Sequence, residues 1–181
     1  QLLFTLQWWT KRLQSLPPRS VPASPSSKFF VAYSNGEGTG RVAACLTFPD
    51  RLVTQFCCCA VPSHILRKWP GQNNIQQIEA TGPAVCLKTW HQVLRGQLLL
   101  FFIDNKSALG SLVGGWSNEQ IVNELTGYTW ELAAMLSVHV YFEWVDSAAN
   151  IIDKASRASS EDDLAVYYQR GWTQVPASCP R

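Results

Sequence analysis

Three acidic residues and one asparagine lie where polar side chains can converge beside a sheet. Asp104 directly follows the apolar run 97–103, and Glu79 lies near the beginning of a predicted long helix. Asp153 lies in the first turn of a later predicted helix, and Asn35 follows the first predicted strand. Because clustered carboxylates repel one another, such a group usually binds divalent cations. Two cations about 3.5–4 Å apart would activate a water and stabilise the leaving oxygen in phosphodiester hydrolysis.

The same carboxylates also have a purely structural interpretation. Asp104 and Asp153 could each cap a helix, and Glu79 could be a solvated helix residue whose charge the helix dipole favours. Spacing alone favours this interpretation over metal binding, because acidic residues are common in the first turns of helices.

Five segments carry the apolar or alternating pattern of strands. They are Lys28–Ser34, Arg41–Phe48, Leu52–Ala60, Gln97–Ile103 and Val138–Val145. Short turns join the first three, the first turn being 35–38, which predicts an antiparallel meander. The fourth is an apolar run with polar flanks, typical of a strand buried on both faces.

Helical spacing separates the later strands. Helices are predicted over 75–95, with a stop at Gly96, and over 104–113. A third begins at a capping box formed by Ser117 and Gln120, and a fourth begins near Asn150. The resulting order is β-β-β-α-β-α-α-β-α. It predicts an α/β fold with one five-stranded mixed sheet flanked by helices on both faces.

The first 27 residues differ in character from the rest. Residues 1–16 have helix-like apolar spacing, and 17–27 contain four prolines and four serines. We therefore predict an N-terminal amphipathic arm and linker over 1–27 and one domain over 28–181. The arm could dock on its own domain or on a partner.

Composition narrows the class of protein. Hydrophobic residues make up 46% and charged residues only 15% of the chain, which also contains eight tryptophans. Typical domains carry about 25% charged residues, so either the core is large or partner subunits cover much of the surface. A net charge of +2 does not by itself indicate a nucleic-acid partner, and no apolar run is long enough for a transmembrane segment.

The six cysteines do not form a recognisable ligand or disulfide pattern. No CxxC pair occurs, and the triplet 57–59 lies in an apolar stretch where cysteine acts as a small hydrophobe. This pattern favours a reducing intracellular compartment.

Two stretches resemble paired signatures of the ribonuclease H domain of retroelement reverse transcriptases. They are FFIDNKSALGSLVGGWS over 101–117 and EWVDSAANIIDKASR over 143–157. YSNGEGTGRVAACL over 33–46 is similar to the opening strand of that family, and IEA over 78–80 matches its glutamate helix. The upstream LQWWTKRLQSLPPR is similar to the segment that precedes this domain in such polyproteins.

The resemblance implies a four-carboxylate site that binds two Mg²⁺ or Mn²⁺ ions and cleaves the RNA strand of RNA–DNA hybrids. Its four positions correspond to Asn35, Glu79, Asp104 and Asp153. The first is not a carboxylate, whereas the family has an aspartate that bridges both metal ions. Glu37 is the one acid near that position, and its placement beyond the strand end makes it a poor substitute.

A second departure concerns the helix that carries Glu79. Gly82 and Pro83 disfavour a helix interior by about 1 and 3 kcal/mol, so this helix is expected to begin near Gly82 and to leave Glu79 on a loop. The family often has a flexible histidine near the last aspartate, and the corresponding loop SAAN over 147–150 lacks it.

Three functions are compatible with these features. The favoured one is a catalytically silent domain without a metal cofactor, which acts as a structural and protein-interaction subunit. The second is a metal-dependent nuclease that uses Glu79, Asp104 and Asp153. The third is a module that binds RNA–DNA hybrids without cutting them, although the basic residues lack the dense stripe that such a groove requires.

Overall fold

The computed structural model describes residues 2–16, 29–50, 53–69 and 74–179. Its centre is a six-stranded sheet in the order β5-β4-β1-β2-β3-β6. The strands are β1 (Phe30–Glu37), β2 (Arg41–Thr47), β3 (Thr54–Ala60), β4 (Leu98–Ile103), β5 (His139–Trp144) and β6 (Thr173–Gln174). β1, β2 and β3 pair antiparallel, whereas β4 pairs parallel with both β1 and β5.

Helices cover both faces of the sheet. They are α1 (Leu2–Leu13), α2 (Ser63–Leu66), α3 (Ile75–Thr89), α4 (His91–Leu94), α5 (Lys106–Gly114), α6 (Gln120–Met135), α7 (Asp153–Arg157) and α8 (Ala165–Gln169). The larger core lies between the sheet and α3, α5 and α6, and it includes Ile78, Leu99, Phe101 and Leu112. A smaller core on the opposite face packs Phe56 of β3 against Ile152, Ala155 of α7 and Tyr167 of α8. Among the described residues, no helix is long and apolar enough to cross a membrane.

The mixed α/β architecture confirms the fold expected from the sequence, with one additional strand. β6 pairs parallel with β3, where Gln55 faces Thr173. A two-residue strand has no periodic signal, so the sequence pattern could not predict it. Two predicted strand starts, Lys28 and Leu52, lie outside the described residues.

The predicted end of β1 at residue 34 was wrong. The predicted turn at Asn35 is still strand, because Asn35 pairs with Ala43 and Glu37 pairs with Arg41. The chain turns at 38–40, where Gly40 adopts a φ of 98° that favours glycine. Asn35 is therefore held by the sheet rather than by a loop.

Apolar spacing correctly predicted the start of the glutamate helix at Ile75, whereas the later start near Gly82, expected from helix propensity, was wrong. α3 begins at Ile75 and contains Pro83, so Glu79 lies on the helix. A Cβ on Gly82 would lie 2.4 Å from the Ser34 Oγ atom, so glycine lets α3 approach β1 closely. Tertiary packing on the sheet thus overrides the poor helix propensity of both residues. α3 ends at Thr89, short of the predicted residue 95.

Three helix starts differ from the sequence prediction. Asn105, not Asp104, caps α5, because its side chain accepts a hydrogen bond from the Ala108 N–H. The predicted capping box of α6 does not form, since the Ser117 hydroxyl accepts from the Glu119 N–H and the helix begins at Gln120. Near Asn150 the chain first makes a 3-10 turn over Ser147–Ala149, and α7 begins only at Asp153.

The N-terminal helix contacts the domain. Its Arg12 forms an ion pair with Glu131 of α6 at 2.9 Å. The linker over 17–27 and residue 28 lie outside the described residues, so the boundary between arm and domain stays a prediction. The six cysteines are all free thiols, and Cys45, Cys57 and Cys86 are buried.

Candidate functional site

The four positions singled out from the sequence converge. Asn35 lies near the end of β1 and Asp104 directly follows the neighbouring parallel strand β4, so their strand ends share one edge. α3 brings Glu79 over this edge, and α7 brings Asp153 from the other face. Asp104 and Asp153 both act electrostatically on Glu79, and Asn35 hydrogen-bonds Asp153.

Glu79 is a buried carboxyl group rather than a solvated helix residue. It is 4% exposed, and its carboxylate accepts a hydrogen bond from the Gly36 N–H. Burial, followed by the negative charges of Asp104 and Asp153, raises the pKa of Glu79 to about 8. Its Oε2 atom is buried without a hydrogen-bond partner. At neutral pH this side chain is therefore mostly protonated.

Asp104 is free of the capping role that its position suggested. Its Oδ1 atom is buried and has no hydrogen-bond partner. Its backbone carbonyl accepts from the Trp144 indole N–H at 3.2 Å, and the Lys106 ammonium lies 4.5 Å from the centre of the Trp144 ring. These contacts fix the end of β4 and leave the carboxylate of Asp104 available.

Asp153 is paired within the site. Its Oδ1 atom accepts from the Arg157 Nη2 at 2.9 Å and Nε at 3.2 Å. The same oxygen also accepts from the Asn35 Nδ2 at 3.1 Å. One carboxylate oxygen thus receives three donors, and the guanidinium neutralises its charge.

Asn35 acts as a donor at the centre of this group. It is 2% exposed, and its Nδ2 also donates to the Ser156 Oγ at 2.7 Å. The Asn150 Nδ2 approaches the Asn35 Oδ1 at 3.5 Å while it donates to the Ser34 carbonyl at 3.0 Å. A carboxylate at position 35 could not donate to Asp153, so this network depends on the amide.

Sequence reasoning found the four central positions and missed their partners. Asn150 and Ser156 lie in the signature stretch 143–157, but the motif did not indicate which side chains they would contact. Arg157 ends the same stretch and was assigned no partner, although its spacing of four from Asp153 on a helix is the spacing of an ion pair. Glu37 does not take the place of Asn35, because its carboxylate accepts hydrogen bonds from the Thr39 N–H and hydroxyl.

The arrangement does not fit a pair of divalent cations. Within the described residues, no group of three or more histidine, cysteine, aspartate or glutamate side chains is set to hold a metal ion. The unpartnered oxygens of Glu79 and Asp104 suit a cation, but the Oδ1 of Asp153 is engaged by Arg157 and Asn35. Two neighbouring cations need negative charge to offset their repulsion, whereas here the Arg157 guanidinium pairs with Asp153 and an uncharged amide lies at position 35.

Solved structures with the same architecture are ribonucleases H. RNase H1 of the archaeon Halobacterium salinarum aligns with a TM-score of 0.54 and 15% identity, over 77% of this chain and 99% of that one. The N-terminal RNase H domain of a Mycobacterium tuberculosis protein, solved as a fusion with maltose-binding protein, gives a TM-score of 0.50 and 16% identity, over 80% and 99%. No protein-family profile and no curated protein sequence matches the chain. The chain therefore has a ribonuclease H-like fold.

Proposed function

We propose that this chain is a ribonuclease H-like domain, derived from a retroelement reverse transcriptase, that no longer cleaves RNA. It would serve as a structural and protein-interaction subunit of a larger assembly. The observation that carries the loss of cleavage is the pairing of Asp153, whose Oδ1 is held by Arg157 and Asn35. The retroelement origin is supported by the sequence signatures over 101–117 and 143–157.

The charge of the site also supports the loss of catalytic activity. The amide of Asn35 adds hydrogen-bond donors where the related enzymes are expected to have an anion. The pKa of Glu79, raised to about 8 by burial and by the neighbouring carboxylates, leaves that group mostly neutral at pH 7. Arg157 contributes a positive charge beside Asp153. A site with so little net negative charge attracts cations weakly.

The interaction role is supported by the surface. Large aromatic side chains are exposed, including Tyr141 at 65% and Trp116 at 58%. Only 15% of the residues are charged, which leaves few charges to keep a lone domain soluble. Such a surface is suited to burial against other subunits.

A metal-dependent ribonuclease H is the second candidate. The unpartnered buried oxygens of Glu79 and Asp104 favour it, because a buried polar atom without a partner is often satisfied by an ion. If the domain were active, Glu79, Asp104 and Asp153 would hold Mg²⁺ or Mn²⁺. The metal would supply Lewis-acid stabilisation of a phosphodiester, and the substrate would be the RNA strand of an RNA–DNA hybrid.

Cleavage of a labelled RNA–DNA hybrid in Mg²⁺ or Mn²⁺ separates the two candidates. We expect no cleavage by the unmodified chain. We expect metal-dependent cleavage from the Asn35→Asp/Arg157→Gln double variant, because it restores the anion and frees Asp153. The same double variant carrying Asp104→Asn is the matched control and should be inactive.

Metal-dependent turnover by the unmodified chain, abolished by Asp104→Asn, would contradict the proposal. If the double variant does not cleave the hybrid either, changes beyond residues 35 and 157 also contribute to the loss of activity. The protein would still be a catalytically silent domain. Hybrid binding measured on the same samples tests the third function. Tight binding without cleavage would favour a hybrid-binding module over a protein-interaction subunit.

A further inference from the structure

Two thiols on different parts of the chain contact each other on the α3 face of the sheet. Cys59 lies near the end of β3, and Cys179 belongs to the segment that follows β6. Their side chains hydrogen-bond each other, and the Cys179 Sγ lies 3.7 Å from the Ala60 carbonyl oxygen. Both residues are partly exposed.

Hydrogen bonds hold the segment 175–179, here called the C-terminal strap, against the domain. The Val175 N–H donates to the Phe56 carbonyl at 2.8 Å, which continues the pairing of β6 with β3. The Ser178 N–H donates to the Thr89 Oγ1 at 3.0 Å. The Lys88 Nζ donates to the Cys179 carbonyl at 3.4 Å. These non-covalent contacts keep Cys179 beside Cys59.

The neighbouring cysteine of the triplet points the other way. Alternation along β3 places Cys57 and Cys59 against the α3 core and Cys58 against the opposite core. The Cys58 Sγ lies 3.6 Å from the Ala155 carbonyl oxygen. Cys58 is therefore a nearby thiol of the same residue type that cannot reach Cys179.

The two contacting thiols have different chemistry. The hydrogen bond from Cys59 and the positive charge of Lys88 lower the pKa of Cys179. The hydrogen bond with Cys179, together with burial, raises the pKa of Cys59. Cys179 also lies in the wall of a cavity of about 250 Å³, beside Val61 and Tyr128. One accessible, readily ionised thiol next to a protonated one is the arrangement of an attacking and a resolving cysteine.

We propose that Cys59 and Cys179 are a redox modification site, which forms a reversible disulfide that fastens the C-terminal strap to β3. The oxidant is a low-molecular-weight disulfide such as glutathione disulfide. The Cys179 thiolate attacks one sulfur and displaces one thiolate, which leaves a mixed disulfide. Cys59 then loses its proton, attacks the Cys179 Sγ and displaces the second thiolate. Two protein thiols are oxidised, and the small disulfide is reduced to two thiols.

The proposal is tested on the full chain incubated with glutathione disulfide, digested with trypsin without reduction and analysed by mass spectrometry. We expect a cross-link between peptides 52–67 and 171–181. Because peptide 52–67 contains all three cysteines of the triplet, variants assign the bond. Cys59→Ser should lose the cross-link and accumulate glutathione on Cys179, whereas Cys58→Ser should keep the cross-link.

Further readouts distinguish a specific bond from oxidation of unfolded chains. The oxidised protein should show a higher Tm than the reduced protein, and a reducing thiol should reverse both the cross-link and the shift. A cross-link that persists in Cys59→Ser, or disappears in Cys58→Ser, would overturn the assignment. Absence of the cross-link in unmodified chain whose circular dichroism is native would overturn the proposal itself.

Discussion

At the scale of single residues, Asn35 changes the character of the site while keeping its shape. An amide and a carboxylate have nearly the same size. The amide nitrogen donates hydrogen bonds, however, whereas a carboxylate oxygen only accepts them. In this protein that nitrogen binds Asp153 and Ser156, so Asp153 is held by hydrogen bonds without an ion.

Glu79 gives the pH dependence expected of this site. Its pKa rises from 4.5 to about 8 on folding, mainly because of burial. The folded protein therefore holds this proton more tightly than the unfolded chain. The resulting stability is fully present at low pH and is lost as the pH rises through about 8. Asp104 and Asp153 add to the effect, and Arg157 and the Gly36 N–H oppose it.

The substitution Glu79→Gln should remove this dependence. Between about pH 5 and about pH 9 the free energy of unfolding should fall by a few kcal/mol more in the unmodified protein than in the variant. Urea unfolding at both pH values measures the difference. Glu124→Gln, at an exposed position on α6, is the control and should follow the unmodified protein. Equal pH slopes in the unmodified protein and Glu79→Gln would contradict a raised pKa at Glu79.

At the scale of elements, the contact between α3 and β1 positions the site. Cβ atoms on Gly36 and Gly82 would lie 2.9 Å from the Glu79 backbone nitrogen and 2.4 Å from the Ser34 Oγ. Distances this short require glycine at both contacts. The helix can therefore lie close enough to the sheet for the Gly36 N–H to bind the Glu79 carboxylate.

A pair of matched helix substitutions tests this contact. Gly82→Ala should destabilise the protein by about 1–2 kcal/mol, because the clash with Ser34 outweighs the better helix propensity of alanine. Gly110→Ala, in α5 with no atom within 4 Å of the added Cβ, should stabilise it by up to about 1 kcal/mol. Chemical denaturation measures both. Stabilisation by Gly82→Ala would show that α3 and β1 are further apart than described.

At the scale of the whole molecule, the proposed interaction role predicts self-association of the isolated chain. Sedimentation velocity should show concentration-dependent association, because exposed aromatic side chains are then without their partner surface. The double variant Tyr141→Ser/Trp116→Ser should reduce the association. Gln92→Ser, at an exposed polar position, should leave it unchanged. A monodisperse monomer at all concentrations would argue against a partner-covered surface.

The sequence by itself determined the α/β class, the order of the five longer strands along the chain and the positions of Asn35, Glu79, Asp104 and Asp153. Period-two and apolar patterns extend over many residues, and the family resemblance was carried by contiguous motifs, so both could be detected along the chain. The fold that they predicted is confirmed. The roles of the four residues stay a prediction.

Only the tertiary structure decided how these residues interact. Helix propensity placed the start of α3 near Gly82, whereas packing against β1 begins the helix at Ile75 and buries Glu79. Residues distant in sequence, such as Asn35 and Ser156, meet only after the sheet has brought their elements together. Local preferences amount to about 1–3 kcal/mol at Gly82 and Pro83, so close packing over a whole interface overrides them. For the same reason, which donor satisfies which buried carboxylate is settled in three dimensions.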